Sequence, residues 1–172
     1  MNLERARVTT PIGHLTLFFA GGTVCSGGFT DREPAMLNEL KRRFGAFTVA
    51  DRREPHPAVA ALERYAAGDV GALDAIEVEA GGTAFQRRVW SALRRIPAGR
   101  TTSYAAIAKE IGSPRAVRAV GAANGANPVA IVVPCHRVIG SSGALQGYAG
   151  GLERKRALLE HEARHAPALI GG

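Results

Sequence analysis

The chain has 172 residues, 46% apolar and 22% charged, which suits one large packed domain or two small ones and is too apolar for a disordered chain. No stretch reaches the roughly 18 uninterrupted apolar residues of a membrane helix, and Met1 to Val8 carries charges where a secretory leader needs an apolar block, so a cytoplasmic protein without membrane association is expected. The net charge of +7 is unevenly spread: residues 1–80 hold 9 basic and 11 acidic side chains, residues 81–172 hold 13 and 4, so the second half suits a polyanion such as nucleic acid.

From the N-terminus, HLTLFFA and TVCSGGFT alternate in polarity around Gly21-Gly22, which predicts an antiparallel hairpin. AMLNELKRRFG has helical spacing closed by Gly45, and after Pro55 and Pro57 the stretch AVAALERYAAG repeats that pattern up to Gly68. IEVEA reads as a last strand, and Gly81-Gly82 as the end of a first unit spanning residues 1–80.

The second unit, residues 81–172, opens with TAFQRRVWSALRRIPAG. Its spacing predicts a helix with Thr83 as cap and Phe85, Val89, Trp90 and Leu93 on one face, the arginines at 87, 88, 94 and 95 taking the rest. YAAIAKEIG then predicts a short helix, and SPRAVRAVGAAN another, with Ser113 as cap and Pro114 in the first turn. Two short helices joined by a glycine-containing turn make a helix-turn-helix candidate. The expected fold class is therefore α/β of the α+β kind, a small mixed N-terminal domain followed by a mostly helical C-terminal one.

Helices that read the major groove present Arg, Asn, Gln or Ser to base edges, whereas AVRAVGAA offers small apolar residues and Arg118. Such a helix reads little sequence, but it allows close approach to a sugar-phosphate wall, where one arginine can enter a groove or the base stack. A solvated Arg118, or one paired with Glu110, is the structural alternative.

Cys25 and Cys135 are the only cysteines, too few for a disulfide framework and without the paired spacing of a zinc site. Cys25 reads as a small strand residue without a role. Cys135 stands in VVPCHRVIG. A free thiol ionises near pH ~8.5, so a nucleophile needs a base or a positive neighbour, and His136 and Arg137 supply both kinds. Neighbouring side chains of an extended backbone point apart, so His136 is expected to reach the thiol through a bent chain or a bridging water, with a third group orienting the imidazole. The competing readings are an inert buried cysteine and a Cys-His hydrolase. The hydrolase would need a distant catalytic histidine, and His14, His56, His161 and His165 lie in no such context.

PCHRVIG, preceded by NPVAIVV and followed by GYAGG, resembles the O6-alkylguanine-DNA alkyltransferases, also called methylated-DNA–protein-cysteine methyltransferases. The similarity takes in FQRRVW, IPAGRTTSY, SPRAVRAVG, Asn127-Pro128, PCHRV and GGLERKRALLEHE in that order, across residues 84–162. Before residue 80 it rests on TTPIGHLTL.

The resemblance implies a single-turnover DNA repair protein. Cys135 is then the acceptor of an alkyl group from O6 of guanine, and from O4 of thymine, in double-stranded DNA. His136 draws off the thiol proton through a water, Glu162 orients the imidazole, and Asn127 ties the turn ahead of the active-site strand. Tyr104 donates a proton or hydrogen bond to the leaving guanine, and Arg118 fills the gap left by the extruded nucleotide, with Ser103, Arg115 and Ala119 on the same DNA-facing surface. Val138, Tyr148, Ala149 and Gly150 line the guanine pocket, the carbonyls near Cys135 and Val138 taking the exocyclic amine. Ala149 stands where some relatives carry serine, and Gly150 is expected to leave room for bulky alkyl groups.

O6 of a paired guanine lies inside the duplex, so flipping is required, and minor-groove binding with little sequence preference, by a monomer, is implied. The thioether product has no easy leaving group, so the protein is consumed. No cofactor and no metal are expected; some relatives hold zinc in the first domain, but only Cys25, His14 and His56 are available there. A non-catalytic lesion sensor of the same fold is the alternative from another class; relatives of that kind lack the acceptor cysteine.

Overall fold

Alternating polarity in the first eighty residues builds a four-stranded sheet. β1 (Asn2–Thr10), β2 (Gly13–Ala20) and β3 (Thr23–Phe29) pair antiparallel in succession, and β4 (Thr48–Asp51) adds parallel to β1, giving the order β3-β2-β1-β4. The expected hairpin is β2–β3, turning on Gly21 and Gly22 at φ 57° and 82°, a conformation open to glycine without steric cost. α1 (Glu33–Phe44) and α2 (Pro57–Ala67) form where the spacing predicts them. The computed structural model describes residues 1–145 and 147–167; Gln146 and the end of the expected second unit, 168–172, lie outside the described residues.

IEVEA does not form a strand. Only Val78 bridges the sheet, at Val24, with the Glu79 N–H on Val24 O at 2.8 Å, while Arg94 takes the carbonyl of Ile76 at 2.7 Å, so the segment touches the sheet at a single point.

Beyond Gly82 the elements are α3 (Ala84–Arg94), β5 (Thr102–Ser103), α4 (Tyr104–Glu110), α5 (Val117–Gly125), β6 (Val138–Ile139), which pairs parallel with β5, and α6 (Leu152–His165). α3 begins at a capping box: Thr83 Oγ1 accepts from the Gln86 N–H at 3.1 Å, and Gln86 Oε1 accepts from the Thr83 N–H at 2.9 Å. Val89, Trp90 and Leu93 are buried as expected, with Phe85 packed at the edge. α5 starts later than the sequence suggests. Residues 113–116 form a turn closed by the Ala116 N–H on Ser113 O at 2.9 Å, so Ser113 caps no helix and Pro114 precedes α5. Glu110 pairs with Arg95 at 2.9 Å, not with Arg118.

The main core joins the two halves of the chain. Leu15, Leu17 and Phe19 of β2 pack in one cluster with Val89, Trp90 and Leu93 of α3, Val120 of α5 and the apolar residues 129–133. On the other face of the sheet, Leu3, Phe18, Cys25, Met36 and Leu40 form a second cluster under α1. Burial there pushes the Cys25 thiol up to about 11, which leaves it an unreactive core side chain.

The feature that matters for the site is at β3. Gly27 donates to Pro128 O and accepts from the Ala130 N–H, both at 3.0 Å, so the sheet edge grips the segment that leads to Cys135. Glycine is required by closeness: a Cβ at Gly27 would stand 2.7 Å from Leu17 Cδ2 and 3.3 Å from Thr16 O. Gly27→Val should therefore destabilise the protein by about 1–3 kcal/mol through overpacking. Gly125→Ala, whose added Cβ meets nothing within 4 Å, should not; urea unfolding of the two variants compares them.

Candidate active site

Residues 128–134, expected as a strand that delivers the triplet, turn back on themselves instead. Val132 and Val133 donate to Ala130 O and Val129 O, each at 2.9 Å, and Ile131 sits at φ 73°. A β-branched side chain in the left-handed region costs about 1–3 kcal/mol and persists only where its surroundings over-determine it. Asn127 supplies that constraint with both ends of its amide: Nδ2 donates to Val133 O at 2.7 Å and Oδ1 accepts from the Val129 N–H at 3.0 Å.

Pro134 then leads into a single 3₁₀ turn, Cys135–Arg137. At three residues per turn, successive side chains fan out by about 120° instead of alternating. The bent chain replaces the extended one anticipated for the triplet, and it lets His136 and Arg137 meet one partner while Cys135 borders a cavity.

That partner is Glu162, on the buried face of α6 and fully shielded from solvent. His136 Nε2 lies 2.5 Å from its Oε1, and Arg137 Nε donates to the same oxygen at 2.7 Å and to Oε2 at 3.0 Å. Arg137 Nη1 also donates to Ile96 O at 2.6 Å, which makes it a structural anchor. Burial alone would raise the Glu162 carboxyl, but hydrogen bonds and charge from its two partners outweigh it and hold the group below the ordinary carboxylate range. Glu162 is therefore ionised. Burial pushes His136 down, against the pull of Glu162, so the imidazole is neutral near pH 7. Its other nitrogen, Nδ1, is buried without a hydrogen-bond partner among the described residues.

Cys135 is 6% exposed and borders a cavity of about 680 Å³ together with Asn127, Tyr148, Ala149 and Gly150. Burial pushes its thiol up; a hydrogen bond from Asn127, the Lys155 charge and the backbone amides of residues 135 and 136 work against that. A smaller recess next to it is lined by Tyr104, Val117, Arg118, Gly121 and again Gly125, Tyr148 and Ala149, so the two share a wall.

The expected residues thus fall into two groups. Asn127 and the loop Tyr148–Gly150 border the cavity with Cys135, whereas His136 and Val138 follow Cys135 in the chain, turned to Glu162 and Lys155 behind it. Tyr104 and Arg118 face the outer recess, and burial followed by the nearby Cys135 charge raises the Tyr104 phenol, which keeps its proton on. Ser103 caps α4, its Oγ accepting from the Ala106 N–H at 3.0 Å. Arg115 and Ala119 are exposed, in the turn before α5 and on α5, and border neither cavity. Gly150 does not leave open space: a Cβ there would stand 2.9 Å from the Tyr148 ring, so the missing side chain serves that close approach.

Two site residues escaped the sequence reading. Lys155 is fully buried and donates to Val138 O at 2.6 Å. Asn124 is 3% exposed, and its Nδ2 donates to Cys135 O at 3.4 Å. Periodicity held the signal for both: Lys155 precedes Leu158 and Glu162 by three and seven residues, and Asn124 follows Val120 by four, which puts each on a buried helix face. Among the described residues, no three His, Cys, Asp or Glu side chains gather as a metal site.

Residues 84–164 match the family model for the DNA-binding domain of 6-O-methylguanine DNA methyltransferase. A methylated-DNA–protein-cysteine methyltransferase of Mycolicibacterium paratuberculosis is 47% identical over 98% of this chain and 97% of its own length. The chain belongs to the methylated-DNA–protein-cysteine methyltransferase family. A Salmonella typhimurium member is 43% identical over 94% of the chain and 96% of its own. In structure, the Mycobacterium tuberculosis O6-methylguanine methyltransferase superposes with a TM-score of 0.77 at 43% identity, covering 98% of this chain and 97% of that one. The same methyltransferase crystallised with DNA gives 0.70 at 40% identity, with 98% and 96% covered. Family likeness therefore extends through the first eighty residues, where the sequence offered TTPIGHLTL alone.

For a methyltransferase built this way, the Glu162 cluster should be essential to stability. Arg137→Ala leaves the carboxylate with His136 as its remaining side-chain partner and Ile96 O unmet, which should cost about 3–5 kcal/mol, the range for breaking a buried pair by removing one member. Chemical denaturation measures this directly.

Proposed function

We propose that this methyltransferase repairs O6-alkylguanine, and O4-alkylthymine, in double-stranded DNA by moving the alkyl group irreversibly to Cys135. One observation carries the reading: a buried thiol borders a cavity beside a neutral histidine with one nitrogen locked on a carboxylate and the other, Nδ1, buried and unpaired. An imidazole held so is oriented and ready to take a proton.

The chemistry then balances with the chain's own groups. The thiol proton passes through a water to His136 Nδ1, and the Glu162 carboxylate stabilises the imidazolium. The thiolate attacks the alkyl carbon in line; the S–C bond forms as the C–O6 bond breaks, and the electron pair stays on the base. Tyr104, whose phenol is kept protonated by burial and by the Cys135 charge, gives its proton to the departing guanine, and the proton held by the His136 imidazolium returns through water to the tyrosinate. The base leaves neutral and the protein keeps a thioether, with no second nucleophile beside it to clear the sulfur.

Access to the thiol requires extrusion of the nucleotide, at a cost of a few kcal/mol. Arg118, exposed on α5 at the rim of the outer recess, is suited to fill the vacated space. α5 otherwise presents Val117 and Ala119, which favours contact with backbone and groove shape over base reading. We assign Ser103 and Arg115 to the same minor-groove surface.

Intact-protein mass after exposure to DNA with O6-methylguanine should show one added methyl group, mapped to the Cys135 peptide, and Cys135→Ser should abolish it. An adduct elsewhere, or more than one equivalent processed per chain, contradicts the proposal. The pH dependence of transfer from a free modified base checks the role of His136. Its acidity is shifted downward, so the base form survives acidification past the ordinary value of about 6.5, and the fall in rate should be centred below that pH. A fall centred at or above 6.5 would mean that the buried imidazole is not the base.

A further inference from the structure

We infer that Asn124 is a specificity-determining residue whose side-chain Oδ1 accepts a hydrogen bond from the exocyclic amine of the flipped base, selecting guanine lesions over bases that lack the amine. This rests on the proposed repair of O6-alkylguanine and adds the residue that reads the base.

Asn124 is 3% exposed and borders the same cavity as Cys135, Asn127 and Tyr148. The orientation of its amide follows from chemistry. Nδ2 is the atom near Cys135 O, because the reverse orientation would set two acceptors against each other. Oδ1 is then turned away from that carbonyl, and it is buried with no hydrogen-bond partner. A buried acceptor left unmet costs about 1–3 kcal/mol, and folded proteins keep few of them. An apolar side chain at this position, between Ala123 and Gly125, would pack without that cost. A polar one is explained if its partner arrives with the substrate.

The base offers one kind of partner. Alkylation at O6 leaves N1 without a proton, N7 has none and N9 carries the sugar, so the exocyclic amine is the sole N–H donor of an O6-alkylguanine nucleotide. O4-alkylthymine has no N–H at all. The amine carries two hydrogens. The carbonyls assigned to it are those of Cys135 and Val138, and both already accept from side chains: Asn124 Nδ2 on the first at 3.4 Å, Lys155 Nζ on the second at 2.6 Å. An unmet acceptor bonded through its own amide to the Cys135 carbonyl stands next to the place where the amine is expected. Asn127 differs in having both ends of its amide already engaged, with Val133 and Val129, so its oxygen is not an unmet acceptor.

The test uses the full chain and two lesions in one duplex context, O6-methylguanine and O6-methylhypoxanthine, which differ only in the amine. Single-turnover rates of methyl transfer are measured by intact mass. The wild-type protein should react faster with the guanine lesion. In Asn124→Leu the ratio of the two rates should fall by about tenfold, the loss of one net hydrogen bond, whatever change the two rates share from losing the amide on the Cys135 carbonyl. A merely structural role for Asn124 would slow both lesions together and leave the ratio alone. The hypoxanthine rate needs the fold and the thiol but not the acceptor, so it also reports the integrity of each variant; Asn124→Ala replaces the leucine variant if that one does not fold. Equal wild-type rates on the two lesions, or an unchanged ratio in a folded variant, overturns the inference while leaving alkyl transfer intact. Absence of any methyl on Cys135 from either lesion would instead remove the repair function itself.

Discussion

The site depends on one buried carboxylate. Glu162 reaches from α6 to the 3₁₀ turn and is held by His136 and Arg137 together. Removing an ionised carboxylate from water costs several kcal/mol, and it stays buried only because charge and hydrogen bonds from both partners meet it. Its position fixes the imidazole, and through Arg137 and Ile96 it ties the turn to the end of α3. Lys155, two turns earlier on the same helix, repeats the device by bonding Val138 O on the strand after the turn. α6 is thus the clamp that holds the reactive triplet from behind.

The other side of the triplet is held by backbone. β3 grips residues 128 and 130 through Gly27, and Asn127 closes the loop that carries Ile131 in a strained conformation. The sheet of the first eighty residues therefore does more than add bulk, since its edge fixes the path of the chain into Cys135. A second tie runs from Arg154 to Asp31 at 2.8 Å, with the guanidinium stacked on Phe29 at 4.1 Å. Being exposed, that pair is worth little in energy, but it fastens the start of α6 next to the loop holding Tyr148.

Burial has a chemical consequence here. Desolvation raises the thiol of Cys135 and lowers His136, so the resting pair is neutral. Charge nearby limits the penalty: Lys155, the Asn127 amide and two backbone amides favour the thiolate without fully offsetting burial. Cys25 is likewise raised by burial, to about 11, against the Arg43 charge and a backbone amide, but it is sealed in the core and borders neither of the two cavities.

Much was legible in the chain because it was local. Helical spacing gave α1, α2 and α3; Thr83 announced the cap of α3; and PCHRV with GGLERKRALLEHE gave Cys135, His136 and Glu162 through resemblance. Elements decided by partners far away in sequence were not legible. IEVEA alternates like a strand but keeps one bridge, with its first carbonyl on Arg94; β1 and β4 have weak alternation and exist because β1 pairs with β2 and β4 adds to β1; and the apolar run 129–133 reads as a strand while Gly27 and Asn127 bend it into a loop. Asn124 and Lys155 look like ordinary helix residues until folding brings them to the Cys135 and Val138 carbonyls. The sequence by itself determined which candidate reactive side chains the chain carries and the helices that surround them. Only the tertiary structure decided which polar atoms are met and which are left waiting, because that depends on desolvation and on contacts between residues that no local pattern brings together.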